Sequence, residues 1–427
     1  MSDTRFAAGR WIAAALAMLG LAAVFYNVVV DNMPKGEPRN VVAYTPWSAE
    51  TLRIAETLPV QDGGRIKPLS TYAGFSMLSL HGARSMKIAG KDGEEFRIKP
   101  TAWLLDALFR PQFAILQPTF RVDNSAALEA IGVKPRGKRD RYSYEDIAAG
   151  REKLGELAMS YQSIDSKERD PIQNQIVALA ENLRTYESLL GYFSFARSGI
   201  VLRGSGENNA ADKRADVSAL MTTAPQLREQ LGHSRAHGGA IEPRLRDLLE
   251  QVLDASNFAK FELFPLPPAD EQKSTWQSAG DTIMDVMSGA AKDPEVNIED
   301  IVALETTARS ADEEAEFREA FTAFHDRIVQ RAKDRGQYGS VELEASYYRR
   351  NWFLNAMVFF LVGTLGALGM WAVGKSLAGR VFAWITAGMT VAGLACCAIA
   401  ITRSETSTTR SSSSGPPRCS FRCSSSG

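Results

Sequence analysis

The sequence predicts a mainly α-helical membrane protein in which an N-terminal anchor and two later membrane helices flank one large outer domain. Residues 11–30, 352–374 and 381–402 each form a stretch of about twenty or more residues without a charge. A helix needs roughly 20 apolar residues to cross the ~30 Å hydrocarbon core of a bilayer. Between the first two stretches, apolar residues mostly follow the spacing of amphipathic helices, with a few short strands near the start.

The first apolar stretch, residues 11–30, is predicted to be an uncleaved anchor. Arg5 and Arg10 give it a positive start, which signal peptides also have. Its apolar run exceeds the roughly 7–15-residue core of a signal peptide, and no A-x-A-like cleavage site follows. Phe25 and Tyr26 lie near its outer end, where aromatic rings favour the membrane interface. A cleaved signal peptide is the alternative.

The flanking cations predict the orientation of these helices. Arg5 and Arg10 precede the first stretch, and Lys375 and Arg380 flank the loop between the last two. The positive-inside rule assigns both regions to the cytoplasmic side of a bacterial inner membrane, with the large domain in the periplasm. The predicted order is a cytoplasmic N-terminus (1–10), membrane helix (11–30), extracytoplasmic domain (31–351), membrane helix (352–374), cytoplasmic loop (375–380), membrane helix (381–402) and tail (403–427).

Composition limits the classes of function. The formal net charge is -1 and the isoelectric point about 6.5, so no nucleic-acid partner is expected. All four cysteines occur late, Cys396 and Cys397 in the third apolar stretch and Cys419 and Cys423 in the tail. The outer domain must therefore be stable without disulfides, which its length allows. No C-x-x-C-H occurs, so the chain is not itself a c-type cytochrome.

Apolar spacing predicts a helical hairpin at residues 146–193. A polar break, SIDSKERDP, separates its two helices. The apolar seam of the second helix comprises Ile172, Ile176, Leu179, Leu183, Tyr186, Leu190 and Phe193. Alternating steps of four and three residues make a heptad pattern, which encodes packing rather than chemistry. We therefore expect a packing arm.

The rest of the outer domain is predicted to alternate helices with irregular segments. Residues 204–216, GSGENNAADKRAD, are polar and contain glycine, which predicts a loop. Residues 242–255 and 312–333 have helical apolar spacing, and Pro243 suits a first helical turn. Residues 261–268, FELFPLPP, are expected to be extended because proline disfavours helix for itself and for its predecessor.

Two of the four histidines, His233 and His237, are four residues apart. On a helix this spacing places both rings on one face, as ligands of a metal or a haem. Glycines border the segment LGHSRAHGGA and no third ligand is near, so a solvated loop is the preferred interpretation. No Walker loop, G-x-S-x-G elbow, H-E-x-x-H or dinucleotide fingerprint occurs, and a soluble-type hydrolase or NTPase is unsupported.

The segment LPVQDGGRIKPLSTYA, residues 58–73, predicts a stiff β-hairpin. Asp62 and Gly63 supply the positive φ of a tight turn, and Gly64 extends that freedom. Pro68 has no amide hydrogen to donate to a sheet, so it ends the pairing or lies at an edge.

Two cations follow the turn. Arg65 and Lys67 share one face of the returning strand, with Ile66 on the other. One interpretation is a rigid cationic finger held close to the membrane. The other is an ordinary surface turn whose cations are solvated.

This segment resembles the hallmark segment of large cytochrome c assembly proteins of the CcsA/CcsB (system II) type. In that family it follows an N-terminal anchor and precedes a long outer domain. Further stretches resemble the segments that come next in the family: TAWLLDALFRPQFA, RVDNSAALEAIGV, RYSYEDI, FPLPP with Trp276, and VELEASYYRRNWFLNAM. The resemblance covers about residues 50–402 and is specific as a series.

The resemblance implies membrane-bound handling of haem and its thioether attachment to apocytochrome c outside the cytoplasm. It implies holocytochrome c synthase activity, with apocytochrome c and other assembly subunits as partners. Arg65 or Lys67 would contact a haem propionate, since charge-assisted contacts suit carboxylates. The residues that would shape this site are Asp62, Gly63, Gly64 and Pro68. The family's haem-handling tryptophans and histidines lie among later membrane helices, so we expect no tight haem binding by this chain alone.

Two other functions compete with this one. A membrane-anchored scaffold without a haem role would use the helical hairpin at 146–193 as its partner-binding surface. An extracytoplasmic hydrolase is less well supported, because the sequence has no recognisable nucleophile–base pair.

The tail, residues 403–427, consists largely of Ser, Thr, Arg, Pro, Gly and Cys, a composition typical of disorder. Serine codons of the TCN type encode Phe, Leu, Ile or Val when read in the neighbouring frame. We therefore expect a broken reading frame, in which Cys419 and Cys423 have no chemical role. A natural disordered tail is the alternative, and sequencing the gene across the codons from 400 to 430 distinguishes the two.

Overall fold

The structure is a computed structural model that describes residues 12, 15–27, 38–90, 93–137, 140–202, 213–236, 242–266, 276–350, 352–373 and 376–408. The described chain is mostly helical with a few short strands, as the sequence predicts. It divides into two compact units. The terminal unit comprises Met1–Asp31 and Glu342–Gly427, and the central unit comprises Asn32–Val341. The central unit thus lies within the predicted outer domain.

Helices supply most of the described structure. In chain order they are α1 (Ala15–Asn27), α2 (Ala49–Glu56), α3 (Leu69–His81), α4 (Pro100–Phe109), α5 (Pro111–Ala114), α6 (Ser125–Ala130), α7 (Tyr144–Ala148), α8 (Arg151–Gln162), α9 (Pro171–Gly191), α10 (Ser194–Ser198), α11 (Val217–Thr222), α12 (Ala224–Ala236), α13 (Pro243–Phe258), α14 (Ala279–Ser288), α15 (Pro294–Arg309), α16 (Glu314–Asp334), α17 (Val341–Arg350), α18 (Trp352–Val373) and α19 (Leu377–Thr408).

The strands are short and lie in the central unit. They are β1 (Arg39–Asn40), β2 (Pro59–Asp62), β3 (Arg65–Pro68), β4 (Met86–Ala89), β5 (Glu95–Ile98), β6 (Phe120–Val122), β7 (Asp140–Tyr142), β8 (Ile200–Leu202), β9 (Lys213–Ala215), β10 (Glu262–Phe264) and β11 (Gln277–Ser278). β1, β4 and β5 form a three-stranded sheet in which β1 and β4 are parallel. The other strands pair antiparallel as β2–β3, β6–β7, β8–β9 and β10–β11.

Two helices of the terminal unit are long and apolar enough to cross a membrane. Their candidate spans are Leu354–Val373 and Leu377–Ala398, with mean hydropathies of 2.0 and 1.8. α19 begins at Leu377, inside the predicted loop, because the Ser376 hydroxyl accepts a hydrogen bond from Gly379 N at 3.0 Å and caps the helix. α1 is a shorter apolar helix within the predicted anchor; of the anchor's other residues, only Ile12 belongs to the described part of the chain.

Glycine allows α18 and α19 to approach each other closely. A Cβ atom on Gly366 would lie 2.6 Å from Thr386 Oγ1, which is closer than real Cβ contacts. Close backbone approach at small residues is the usual way in which membrane helices associate. The pair is therefore built as a tightly packed helical hairpin.

The core of the central unit is centred on α4, whose residues from Thr101 to Phe109 are all buried. Pro100 begins the helix, where its missing amide hydrogen costs nothing. Trp103 stacks on Tyr186 of α9 with ring centroids 6.0 Å apart, and Phe109 meets Phe317 of α16 at 5.1 Å. α4 thus joins the N-terminal, middle and C-terminal parts of the unit.

The predicted helical hairpin is present as α8 and α9, which pack against each other. α9 begins with a reciprocal cap between Asp170 and Gln173, the arrangement that satisfies the first free amides of a helix. Its buried residues include four members of the predicted seam, Ile176, Leu179, Leu183 and Tyr186. Phe193 is buried just beyond α9, and Ile172 and Leu190 are partly buried against the core.

The predicted loop at residues 204–216 is wrong at its end. Lys213–Ala215 forms β9, which pairs with β8 so that Ile200 lies opposite Ala215. Backbone hydrogen bonds offered by β8 outweigh the polar local composition there. Residues 203–212 lie outside the described part of the chain.

Helix α16 closes the central unit by packing on α2. The Glu314 carboxylate accepts a hydrogen bond from Thr51 Oγ1 at 2.7 Å, near the start of α2. At the end of α2, Thr57 Oγ1 lies 3.0 Å from His325 Nε2, and the Tyr338 hydroxyl donates to Thr57 O at 3.2 Å. α2, the first helix of the central unit, and α16, its last complete helix, are therefore neighbours.

Candidate functional site

The predicted β-hairpin is present as β2 and β3. Asp62 lies opposite Arg65 in the antiparallel register, which leaves Gly63 and Gly64 as a two-residue turn. Their φ values are 60° and 75°, in the left-handed region that glycine adopts at little cost. The positive φ values thus fall on the two glycines rather than on Asp62 and Gly63. Pro68 is the last paired residue and the cap before α3, as predicted.

The two cations of β3 differ in their surroundings. Lys67 Nζ lies 2.6 Å from Asp62 Oδ2, and the Lys67 side chain is only 16% exposed. Arg65 is exposed next to the turn. Arg65 is therefore the more exposed of the two cations, and Lys67 is held within the hairpin by Asp62.

The residue that ties this hairpin to the rest of the unit is Gln61, which sequence reasoning missed. Gln61 is 6% exposed, and its Oε1 accepts a hydrogen bond from Trp276 N at 2.6 Å. Trp276 is buried as well, and its Nε1 donates to Gln337 Oε1 at 3.0 Å. The hairpin is therefore fixed by a residue 215 positions away in the chain. A glutamine beside a turn gives no sequence signal for such a contact.

Replacing Gln61 by alanine is expected to lower the free energy of unfolding by about 1–3 kcal/mol, because the Trp276 amide loses its acceptor in a buried position. Urea denaturation of the chain in nanodiscs, followed by near-UV circular dichroism, measures this. The matched control is Gln112→Ala, which removes an exposed 3.3 Å contact with Asp312 and should change little. Equal losses in the two variants would contradict the role of Gln61.

Aromatic side chains lie beside the hairpin. Phe261 stacks on Tyr192 with ring centroids 5.3 Å apart, and its centroid is 5.1 Å from that of Tyr72. Burial raises the pKa of both tyrosines, and the negative charge of Asp62 adds to the effect. Burial and the carboxylates of Asp281 and Asp62 also raise the pKa of Glu262. The carboxylates of Asp62, Asp281 and Glu262 thus make the electrostatic potential beside these rings negative.

Of the two predicted histidines, only His233 belongs to the described part of the chain. His233 is exposed on α12, so the expectation of a loop is wrong up to Ala236, where the helix ends. Gly232 lies inside this helix, where glycine costs only about 1 kcal/mol relative to alanine. His237 lies outside the described residues. Within the described part of the chain, no group of three His, Cys, Asp or Glu side chains could hold a metal ion.

His81, at the end of α3, is fully buried. Its Nδ1 donates to Pro118 O at 2.8 Å. Burial, with a smaller contribution from the Arg141 guanidinium, lowers the pKa of His81 to about 4. The imidazole is therefore neutral at physiological pH.

A buried charge network surrounds Asp106 of α4, another residue that no motif singles out. Asp106 Oδ1 accepts from Trp47 Nε1 at 2.8 Å and from Arg110 Nη2 at 2.6 Å. Its Oδ2 accepts from the Tyr44 hydroxyl at 3.0 Å and from Gln117 Nε2 at 2.7 Å. Burial raises the pKa of Asp106, and the Arg110 guanidinium opposes that rise. The network connects Tyr44 and Trp47, near the start of the central unit, to α4 in its core.

No family model matches the chain, and no curated protein sequence matches it.

Proposed function

We propose that the chain is a cytochrome c maturation protein of a bacterial inner membrane. Its central unit, on the extracytoplasmic side, docks apocytochrome c or another assembly subunit. The observation that carries the proposal is that separate segments resembling the assembly family are in contact in the folded chain. Trp276 N donates to Gln61 of the 58–73 hairpin. α3, which begins in that segment, packs against α4, which the 101–114 segment forms.

The hairpin supports a role in contacting haem during its transfer. Arg65 is exposed beside a tight turn formed by two glycines, and Phe261 with its tyrosine neighbours borders the hairpin. A guanidinium binds carboxylates through paired hydrogen bonds. We therefore assign the contact with a haem propionate to Arg65, and an internal structural role to Lys67.

Aromatic residues in the terminal unit support insertion into a membrane. Tyr347, Tyr348 and Trp352 lie just before or at the start of α18. Near the other end of the helical pair, Trp371 is 45% exposed and Trp384 is 79% exposed. Tyrosine and tryptophan concentrate at membrane interfaces, where their rings meet both apolar and polar surroundings.

Deleting the gene in its source organism is expected to abolish haem-stained c-type cytochromes while b-type cytochromes remain. Arg65→Ala should reduce the c-type signal roughly tenfold, as the loss of ~1.4 kcal/mol of propionate binding would. Arg53→Ala, at an exposed arginine of α2, is the matched control and should leave the signal unchanged. Normal c-type cytochromes in the deletion strain would refute the proposal.

A scaffold without a haem role is the second candidate, favoured by the arm formed by α8 and α9. Met159 of α8 is 75% exposed, and only Leu154 and Ala158 of that helix are buried. Such a surface suits a helical partner. Under this function, Met159→Asp would disrupt a complex in the membrane, and the deletion strain would keep its c-type cytochromes.

A further inference from the structure

Apolar side chains on one side of α3 are exposed to solvent. The helix buries Met77 and Leu80 against the core, whereas Phe75 is 51% exposed and Leu78 is 39% exposed. Ser79 is also exposed. Residues three and four apart are neighbours on a helix surface, so positions 75, 78, 79 and 82 follow one face to the end of α3.

Arginines surround the end of this face. The side chain of Arg121 lies over Gly82, where a Cβ atom would be 2.6 Å from Arg121 Cδ. Arg141 Nε donates to His81 O at 3.3 Å. The guanidinium carbon of Arg84 is 5.3 Å from the centroid of the Phe75 ring. The apolar stripe and the cations are therefore contiguous.

Positive charge is concentrated here. Arg121 and Arg141 lie directly opposite each other in the β6–β7 register, an arrangement in which like charges repel. Arg121 is 44% exposed and is paired with Asp123 at 2.9 Å. The carboxylates of Asp123 and Asp140 both act on Arg141, but Asp140 is already paired with Arg39 and Arg136. Two facing arginines with Asp123 as their exposed carboxylate favour the approach of an anion.

We propose that Phe75, Leu78, Arg84, Arg121 and Arg141, which we call the α3 face, bind the headgroups of an anionic phospholipid bilayer. Guanidiniums bind phosphate oxygens in pairs, which matches these arginines to lipid phosphates. Phe75 and Leu78 enter the interface beside them, as apolar residues of surface-bound helices do. Free phosphate would satisfy the arginines but would leave both apolar side chains in water, so the bilayer is the better fit.

The proposal rests on the membrane anchoring contained in the proposed function. Once the chain is anchored, a nearby bilayer presents its headgroups at high effective concentration. Three arginines near an anionic surface then add their attractions to the same headgroup layer.

The experiment uses the full chain with its four cysteines replaced by serine and with Ser79→Cys carrying a fluorescent label. Nanodiscs of phosphatidylcholine are compared with nanodiscs containing about 30% phosphatidylglycerol. We expect acrylamide quenching of the label to fall at least about twofold with phosphatidylglycerol and to recover at about 0.5 M salt. A label at Met159→Cys, on exposed α8, is the control and should be quenched equally in both.

Matched variants distinguish the effect of removing positive charge from the effect of misfolding. Replacing Arg84, Arg121 and Arg141 together by glutamine should abolish the protection, and replacing them by lysine should retain part of it. Phe75→Ser with Leu78→Ser should also weaken the protection. Each variant is first checked for an unchanged near-UV circular dichroism spectrum, which limits the comparison to folded chains.

Several results would overturn the proposal. These are equal quenching in the two lipid mixtures, protection that survives the glutamine variant, or protection by inorganic phosphate in phosphatidylcholine nanodiscs. The last result would identify a free-phosphate site. Failure of the chain to enter nanodiscs would instead refute the anchoring, and c-type cytochrome levels test the haem role separately.

Discussion

Replacing Asp106 by alanine is expected to lower the free energy of unfolding by about 3–5 kcal/mol. The substitution leaves the Arg110 guanidinium, whose side chain is 4% exposed, without its carboxylate. The Tyr44 hydroxyl and the Trp47 indole also lose their acceptor in the interior. A buried cation that has lost its partner costs far more than the pair contributed when complete.

Chemical denaturation in nanodiscs measures this loss, with Glu50→Ala as the control. Glu50 is 70% exposed and pairs with Arg318 at 2.8 Å, so its removal should cost less than about 1 kcal/mol. Replacing Asp106 by leucine and Arg110 by methionine together should recover part of the stability, because no buried charge is then left unpaired. A loss at Asp106 no larger than at Glu50 would show that the network contributes little.

Acid is expected to destabilise the central unit through His81, by up to about 3 kcal/mol. The pKa of this histidine is about 4 in the folded chain, against an ordinary value of 6.5. Between these pH values the unfolded chain binds a proton that the folded chain does not. Stability therefore falls as the pH drops from about 6.5 towards 4, and this contribution is constant below that range.

The measurement compares unfolding free energies of the parent and of His81→Gln at pH 7 and pH 4.5. Glutamine stays neutral and keeps an N–H group for Pro118 O, so the variant should lose less stability on acidification than the parent does. His233→Gln, at an exposed position on α12, is the control and should follow the parent. Parallel pH profiles for the parent and His81→Gln would contradict the assignment.

Features with local causes were the ones that the sequence predicted well. The hairpin turn follows from the Asp-Gly-Gly sequence, although the positive φ values fall on Gly63 and Gly64 and not on Asp62 and Gly63. The seam of α9 follows from apolar spacing within one helix, and the cap at Asp170 reinforces its start. The apolar helices α18 and α19 follow from length and composition, although α19 extends beyond both predicted ends.

Features that depend on distant partners could not be predicted in this way. Gln61 looks like an exposed strand residue until Trp276 is brought against it. Asp106 sits within the apolar run TAWLLDALF, where no pattern indicates that four side chains will donate hydrogen bonds to it. β9 forms because β8 lies beside it, not because of its own polar residues. Each of these depends on tertiary structure.

The contacts between α16 and α2 can form only late in the synthesis of the chain. Thr51 is hydrogen-bonded to Glu314, 263 residues later, and Tyr338 to Thr57, 281 residues earlier. At ~5–20 residues per second, translation leaves α2 without these partners for on the order of tens of seconds. Contacts so distant in sequence also slow folding itself. The emerging chain therefore passes through an interval in which the surface of α2 that α16 later covers is exposed, and aggregation is most favourable during that interval.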